Sequence, residues 1–184
     1  MNAAADIFDP PSPSHVLAQS KRIALEVLAP TADQVDQLRQ FPRKNIAELG
    51  KGQVLGLMVP VEFGGAASGL SEMAAVLETL AQGCASTAMV VLMHYCATAV
   101  LAAKASPQIR RSLLSAIARG EHLSTLAFSE PGSGGHFYSP VSRATQRNDG
   151  AELSACKSFV TSAGEADSYI VSTLNAGAER PQDV

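Results

Sequence analysis

A run of 19 residues, ASTAMVVLMHYCATAVLAA at residues 85–103, carries no charged side chain. Its length is compatible with a membrane span, but cationic residues do not flank it on both sides. Polar side chains also interrupt it at Ser86, Thr87, His94 and Thr98. The run therefore predicts a fully buried helix within a helical bundle, and a membrane span is the alternative that we do not favour.

The chain changes character near residue 120. Before it, apolar residues recur at helical spacing, as in Leu70, Met73, Leu77 and Leu80, and a first helix at 15–28 is predicted to end at Pro30. After it, the segments HLSTLAFS, VSRATQR, AELSACK and SYIVSTL have the composition of strands, and residues 148–150 (Asn-Asp-Gly) predict a hairpin turn.

These patterns predict an α+β multidomain chain, an α-helical bundle followed by an incomplete β-barrel or sheet domain. We expect a disordered tail at residues 1–14, the helical domain at 15–120 and a partial β-domain at 121–184. Four strands without a closing partner make a poor independent sheet, so the second domain is expected to be cut off midway.

Composition excludes several classes of protein. A net charge of -3 and a pI near 5.8 argue against a nucleic-acid surface, which needs clustered Lys and Arg. The three cysteines, Cys84, Cys96 and Cys156, form neither a disulfide framework nor a metal motif. The first 20 residues contain no Lys or Arg and three Pro, unlike a secretory or mitochondrial leader. A reduced, cytoplasmic location is the expectation.

Two segments have the composition of a ligand site. Residues 130–135, EPGSGG, follow a predicted strand, and their glycines free backbone N–H groups to face a diphosphate. The spacing matches neither a dinucleotide-fold fingerprint nor a phosphate loop nor a hydrolase elbow. In the second segment, KSFVTSAGEAD, strand alternation predicts that Phe159 and Thr161 face the same side. An aromatic plane beside a hydroxyl suits a flat heteroaromatic cofactor, although an ordinary turn and an ordinary strand explain each segment separately.

Together the two segments resemble the acyl-CoA dehydrogenase family. The resemblance rests on LAFSEPGSGGHF and, about thirty residues later, KSFVTSAGEADSYIVST. GLMVPVEFGG and LAQGCASTAMVVLMHY are similar, in the same order, to the N-terminal helical domain of that family. The likeness covers roughly residues 15–175. It implies a flavoprotein of three parts in which FAD and an acyl-CoA thioester meet, and the last part, a C-terminal helical domain, is expected to be absent from this chain.

The resemblance also implies cofactor contacts, residue by residue. The strand and loop that pass the flavin and its diphosphate correspond to Leu126, Ala127, Phe128, Ser129, Gly134 and Gly135. A Trp-Ile-Thr segment of the family corresponds to Phe159, Val160 and Thr161, and Thr161 is the best single cofactor contact. Two positions depart from the family. Phe159 replaces Trp and loses the indole donor, and Gly135 replaces a Ser, which puts its substrate contact in doubt.

In the family, a glutamate removes a proton next to the thioester, and a hydride passes from the next carbon to the flavin. No residue here matches that glutamate, and Glu130, Glu152 and Glu165 lie in predicted turns or strands, so we assign no catalytic residue. The 184-residue chain alone is expected to be inactive. An electron-transfer flavoprotein or another acceptor is the implied redox partner, and a homo-oligomer, expected as a homotetramer, is the implied assembly.

Two other interpretations remain open. One is a flavin-dependent monooxygenase of the same fold, in which His94 could serve in the pocket, although a histidine in an apolar helix is more often a hydrogen-bonded core residue. The other is an inactive remnant or binding module. His136, beside the glycine-rich loop, could touch a phosphate, but an exposed loop histidine is the commoner case. The cysteines are expected to be small buried residues.

Overall fold

The structure, a computed structural model, describes residues 10–133, 136, 138–180 and 183. Its α-helices are α1 (Pro13–Ile23), α2 (Ala29–Leu38), α3 (Arg43–Lys51), α4 (Leu70–Gly83), α5 (Ala85–Lys104) and α6 (Pro107–Ala118). A π-helical turn (Ala24–Leu28) joins α1 to α2, and 3-10 turns lie at Val54–Gly56 and Val61–Phe63. The strands are β1 (Ser124–Ala127), β2 (Thr145–Arg147), β3 (Gly150–Glu152) and β4 (Ser168–Val171). Helices up to residue 118 and strands from 124 confirm the predicted fold class.

Pro30 does not end the first helix, so that prediction is wrong. Proline lacks an N–H, and its ring crowds the carbonyl four residues earlier, which usually breaks a helix. Here the preceding turn is π-helical, and the N–H of Ala29 bonds the carbonyl of Ala24, five residues back. The hydroxyl of Thr31 donates to the carbonyl of Val27 over 2.9 Å. The wider turn and this side-chain bond together let the helix continue through the proline.

Helix α5 is the centre of the helical domain. Its length and composition would allow it to cross a membrane, but half of the apolar window is buried inside this fold. It packs on α4 along one side and on β1 and α6 along others. The main apolar core gathers around it, with the fully buried side chains Ile23, Leu28, Leu49, Leu80 and Tyr95. A second core beside it contains Val59, Leu101, Leu114 and Ile117.

The described strands form two separate pairs. β1 and β4 are parallel, with Ser124 opposite Ser168 and Ala127 opposite Val171. β2 and β3 form the antiparallel hairpin predicted around residues 148–150, although each strand is only three residues long. The parallel pair matters for function because β1 lies against α5 and its carboxyl end leads directly into the glycine-rich segment.

Residues 159–161 are not a strand, which corrects the predicted alternation of Phe159 and Thr161. Phe159 has a φ of 54° and Ser162 a φ of 65°, and such left-handed residues cannot continue an extended strand. A turn occupies residues 161–165, closed by bonds from the N–H of Ala163 to Val160 and from Glu165 to Ser162. The second segment therefore presents its side chains from a bent backbone.

Candidate functional site

The two segments singled out in the sequence lie side by side. The hydroxyl of Thr125 on β1 donates to the carbonyl of Thr161 over 2.7 Å. The N–H of Ser158 donates to the carbonyl of Ser129 over 2.9 Å. Thr125 is fully buried, so its hydroxyl cannot bond water and uses the Thr161 carbonyl instead. Ser129 is thus bonded directly to the second segment, and Phe159 is the residue after its partner Ser158.

A buried ion pair, Lys157–Glu130, lies where the segments meet. The ammonium of Lys157 is 2.7 Å from the Glu130 carboxylate, and the two side chains are only 8% and 2% exposed. Lys157 also donates to the carbonyls of Phe128 and Ser172. The other carboxylate oxygen of Glu130 accepts the N–H of Ser142 over 2.9 Å. A single pair of charges thus connects the end of β1, the residue after β4 and the far side of the glycine-rich loop.

The environment of Glu130 decides its charge. Burial raises the pKa of a carboxyl group, but the Lys157 ammonium and the N–H groups of Ser142 and Val141 outweigh burial and lower the pKa of Glu130 to about 2. Glu130 is therefore ionised and already bonded near neutral pH. It does not have the properties of a general base, which needs a pKa near the working pH and a free approach to substrate.

The predicted cofactor contacts differ in how accessible they are. Ala127 is buried, and the half-buried members are Leu126, Phe128, Ser129, Val160 and Thr161. Phe159 is 97% exposed, an unusual position for a large apolar ring. Gly134 and Gly135 lie outside the described residues. The structure therefore joins the two segments that carry these residues, through the Thr125–Thr161 and Ser158–Ser129 bonds, and cofactor contact at each residue stays a prediction.

The polar groups around this bond fit a flat aromatic ligand with hydrogen-bonding edges. Among the residues that the structure describes, the hydroxyls of Ser129 and Thr161 have no hydrogen-bond partner, and the buried hydroxyl oxygen of Ser162 has none either. The exposed Phe159 ring lies in the same segment as Thr161 and Ser162. Uncommitted hydroxyls next to an exposed aromatic face are the donor set and the contact surface that a flavin ring needs. We refer to Ser129, Phe159, Thr161 and Ser162 as the hydroxyl–phenyl cluster.

The other two candidate carboxylates are held by arginines. Glu152 pairs with Arg147 on the β2–β3 hairpin, and Glu165 pairs with Arg43 at the start of α3. Both pairs lie at the surface. Each of these carboxylates thus has a positively charged partner, and their exclusion as catalytic base stays a prediction. No group of metal-ligating side chains occurs in the described ranges.

His94 is a core residue rather than a pocket residue. It is fully buried on α5, where its Nδ1 accepts the N–H of Ser124 over 3.1 Å and its Nε2 donates to the carbonyl of Leu55 over 3.2 Å. These partners require the neutral ring with the proton on Nε2. Burial lowers the pKa of His94 to about 4, against a smaller opposite effect of the two backbone bonds. The core interpretation made from the sequence is confirmed.

The remaining candidates, His136 and the three cysteines, differ in exposure. His136 is exposed, and its Nδ1 lies 2.8 Å from the Tyr138 hydroxyl, so its predicted phosphate contact stays a prediction. Cys84 is buried and Cys96 half-buried, but Cys156 is exposed, which contradicts the prediction that all three are buried. Cys156 lies in the irregular segment after β3, where residues 153–156 are all exposed.

Sequence reasoning missed the partner of Glu130. Lys157 opens the second segment, and nothing in a local pattern shows that its side chain turns back towards the first. The only available signal in the sequence was Lys157 itself, two positions before the apolar pair Phe159 and Val160, in a chain with few charged residues. Pairing across 26 intervening positions depends on how β1 and β4 come together.

Comparison with known proteins agrees with this architecture. A family model described as "Acyl-CoA dehydrogenase, N-terminal domain" matches residues 14–121. Cyclohex-1-ene-1-carbonyl-CoA dehydrogenase of Syntrophus aciditrophicus is 30% identical over 151 residues, which cover 80% of this chain and 36% of that protein.

Solved structures show the same fold. Butyryl-CoA dehydrogenase from Megasphaera elsdenii aligns with a TM-score of 0.77 at 24% identity, over 95% of this chain and 46% of that one. An FAD complex of PigA aligns with a TM-score of 0.78 at 21% identity, over 95% and 45%. The chain spans less than half the length of each of these proteins. The family model covers more than half of the chain, and the chain belongs to the acyl-CoA dehydrogenase family.

Proposed function

We propose that this chain forms the flavin-holding part of an FAD-dependent oxidoreductase that removes hydrogen from the α and β carbons of an acyl-CoA thioester. One observation carries the proposal. The hydrogen bonds Thr125–Thr161 and Ser158–Ser129 bring the two family-like segments together, and they leave the Phe159 ring of the hydroxyl–phenyl cluster exposed beside half-buried Ser129 and Thr161.

Three members of the cluster have a physical role in holding the ring. The hydroxyl of Thr161 donates a hydrogen bond to an edge of the flavin, and that of Ser129 donates to a second edge. The ring of Phe159 gives apolar contact but no donor, because it lacks the indole N–H of a Trp. Half-buried Leu126 and buried Ala127 keep water from the side next to β1. FAD, when bound, supplies the hydride acceptor.

The proton step needs a base, and the three candidate carboxylates of the second half of the chain are already paired. Glu130 is ion-paired and buried, and Glu152 and Glu165 each bond an arginine. We infer that a carboxylate outside these three takes the α-proton in the complete enzyme. Because no residue of this chain matches the glutamate of the family, the activity that we propose for the 184-residue chain alone is FAD binding without turnover.

Two relatives support the choice of cofactor and substrate class. PigA, which has the same fold, was solved as an FAD complex. The relative from Syntrophus aciditrophicus is named for a CoA thioester and a dehydrogenation. Neither protein fixes the acyl group that this chain accepts. An acyl-CoA substrate, an electron-transfer flavoprotein or other acceptor, a homo-oligomeric assembly and a cytoplasmic location stay predictions.

Titration of the purified chain with FAD tests the proposal. We expect saturable quenching of flavin fluorescence, a perturbed visible spectrum, and no bleaching of that spectrum when acyl-CoA is added without oxygen. A Thr161→Val variant should bind FAD about tenfold more weakly, and Thr79→Val on α4 serves as the matched control. FAD binding that is absent in the wild-type chain contradicts the proposal. Bleaching of the flavin spectrum by acyl-CoA alone contradicts the missing base. If the flavin is first reduced chemically, and oxygen then reoxidises it while a substrate is hydroxylated, the result favours a monooxygenase.

A further inference from the structure

We propose that Lys157 and Glu130 are positioning residues that hold the two halves of the hydroxyl–phenyl cluster at the separation a flavin ring requires. The inference rests on the proposed function, because the ligand is the one proposed there. It assigns a purpose to the buried ion pair, whose side chains are only 8% and 2% exposed.

The first argument is the place of the pair between the segments. The Lys157 ammonium donates to the carbonyl of Phe128, the residue next to Ser129, over 3.2 Å. The residue after Lys157 is Ser158, whose N–H donates to the carbonyl of Ser129, and Phe159 follows it. A movement of Lys157 therefore changes the separation between the Ser129 hydroxyl and the Phe159 ring.

The second argument is the grip of Glu130 on the loop that follows it. One oxygen of the carboxylate faces Lys157, and the other accepts the N–H groups of Val141 and Ser142. The hydroxyl of Ser133 donates to the carbonyl of Glu130 over 3.0 Å, which closes the first turn of the loop. Glu130 thereby bonds Ser133 on one side of the glycine-rich segment and Val141 and Ser142 on the other, and Lys157 connects Glu130 to the cluster.

The third argument is the cost of the arrangement. Two ions taken out of water lose hydration, and an apolar pair of similar volume is often at least as stable. The described core has ample apolar contacts, so stability alone does not call for a buried pair between two otherwise irregular segments. A role in geometry does call for it, because the hydrogen bonds of Lys157 to two carbonyls and of two backbone N–H groups to Glu130 involve charged partners and are directional.

Single and double variants separate geometry from charge burial. Glu130→Gln and Lys157→Met each leave one partner unpaired and should weaken FAD binding at least about tenfold. The double variant Glu130→Leu/Lys157→Met removes both charges and should recover most of the thermal stability. If the pair positions the cluster, FAD affinity and the perturbed flavin spectrum do not recover with the stability. The matched control is Glu152→Leu/Arg147→Met, an ion pair exposed by 57% on each side, which should leave FAD affinity within about twofold.

A measurement on the wild-type chain needs neither variant nor ligand. Hydrogen exchange should show the amides of Ser142 and Ser158 opening together, with the same opening free energy, because the ion pair couples them. Independent opening of the two amides overturns the inference. FAD binding by the double variant that equals wild type overturns it as well, while the proposed function stands. Failure of the wild-type chain to bind FAD overturns the proposed function, and with it this inference.

Discussion

Nδ1 of His94 accepts the backbone N–H of Ser124 over 3.1 Å, so the middle of α5 is bonded to the first residue of β1. The other ring nitrogen donates to the carbonyl of Leu55. Both bonds are inaccessible to water. The helical domain and the parallel strand pair are thereby joined through one neutral imidazole, whose protonation would remove the acceptor that Ser124 needs.

The chain should lose stability in mild acid because of His94. Its pKa is about 4 in the folded chain, against the ordinary histidine value of 6.5 once the chain unfolds, so between these values the unfolded chain binds a proton that the folded chain refuses. The stability contributed by the neutral ring is complete above 6.5 and falls as the pH drops towards 4. Urea unfolding should show a loss of about 2 kcal/mol from this group between about pH 7 and about pH 5.

A His94→Asn variant tests this assignment. It keeps a neutral acceptor on α5 but loses the bond to Leu55, so we expect a cost of about 1–3 kcal/mol near neutral pH. The acid-dependent loss above should then disappear. His15→Asn, on the exposed surface of α1, is the control and should keep the wild-type pH profile. An unchanged profile in His94→Asn would contradict the assignment.

Breaking the buried ion pair should be far more costly than breaking a surface pair. Glu130→Gln leaves the Lys157 ammonium without its counter-charge at 8% exposure, and we expect a loss of about 3–5 kcal/mol in the free energy of unfolding. Glu152→Gln, in the exposed hairpin pair, should cost at most about 1 kcal/mol. Chemical denaturation of both variants measures the contrast, and equal losses would show that the pair is hydrated in solution.

Phe159→Ala should separate binding from folding. The ring is 97% exposed, so its removal should change the free energy of unfolding by less than about 0.5 kcal/mol. FAD affinity should fall about three- to tenfold, because an aromatic contact contributes about 0.5–1.5 kcal/mol. Leu25→Ala, at a residue 75% exposed on the π-helical turn, is the control for removal of a surface apolar side chain. A stability loss without an affinity loss would place the ring in the core.

Two threonines linked by one hydrogen bond should respond in opposite ways. Thr125→Val deprives the Thr161 carbonyl of its donor and should cost about 1–3 kcal/mol of stability. Thr161→Val leaves that carbonyl bonded and removes only a hydroxyl with no partner among the described residues, so stability should hold while FAD affinity falls. Thermal unfolding and FAD titration of the two variants, measured together, check this inversion.

Close contact of two backbones makes Gly120 irreplaceable. Its φ is 73°, and a Cβ there would lie 2.5 Å from the Cα of Gly50, which belongs to α3. We expect Gly120→Ala to cost at least about 2 kcal/mol, because both the strain and the clash involve backbone. In Gly69→Ala the added Cβ meets only the end of the Glu72 side chain at 3.4 Å. That control should be close to wild type in thermal unfolding.

Local patterns predicted the buried helix and the hairpin, and they failed where a specific hydrogen bond decides the backbone. Pro107 begins α6, because its missing N–H lies at a position that needs no bond. Pro30 was predicted as a stop, but a π-helical turn and the Thr31 hydroxyl accommodate it. Phe159 was predicted in a strand, yet its left-handed backbone belongs to a turn whose carbonyl at residue 161 bonds β1.

By itself the sequence determined the order of helices and strands, the family, and the two segments that form the candidate site. These properties depend on periodicity, turn residues and short motifs, which act over a few positions. Only the tertiary structure decided that the segments meet, that Lys157 pairs with Glu130, and that His94 is bonded on both sides. These relationships depend on the parallel pairing of β1 with β4 and on the packing of β1 against α5. Long-range packing of this kind leaves no mark in the spacing of neighbouring residues.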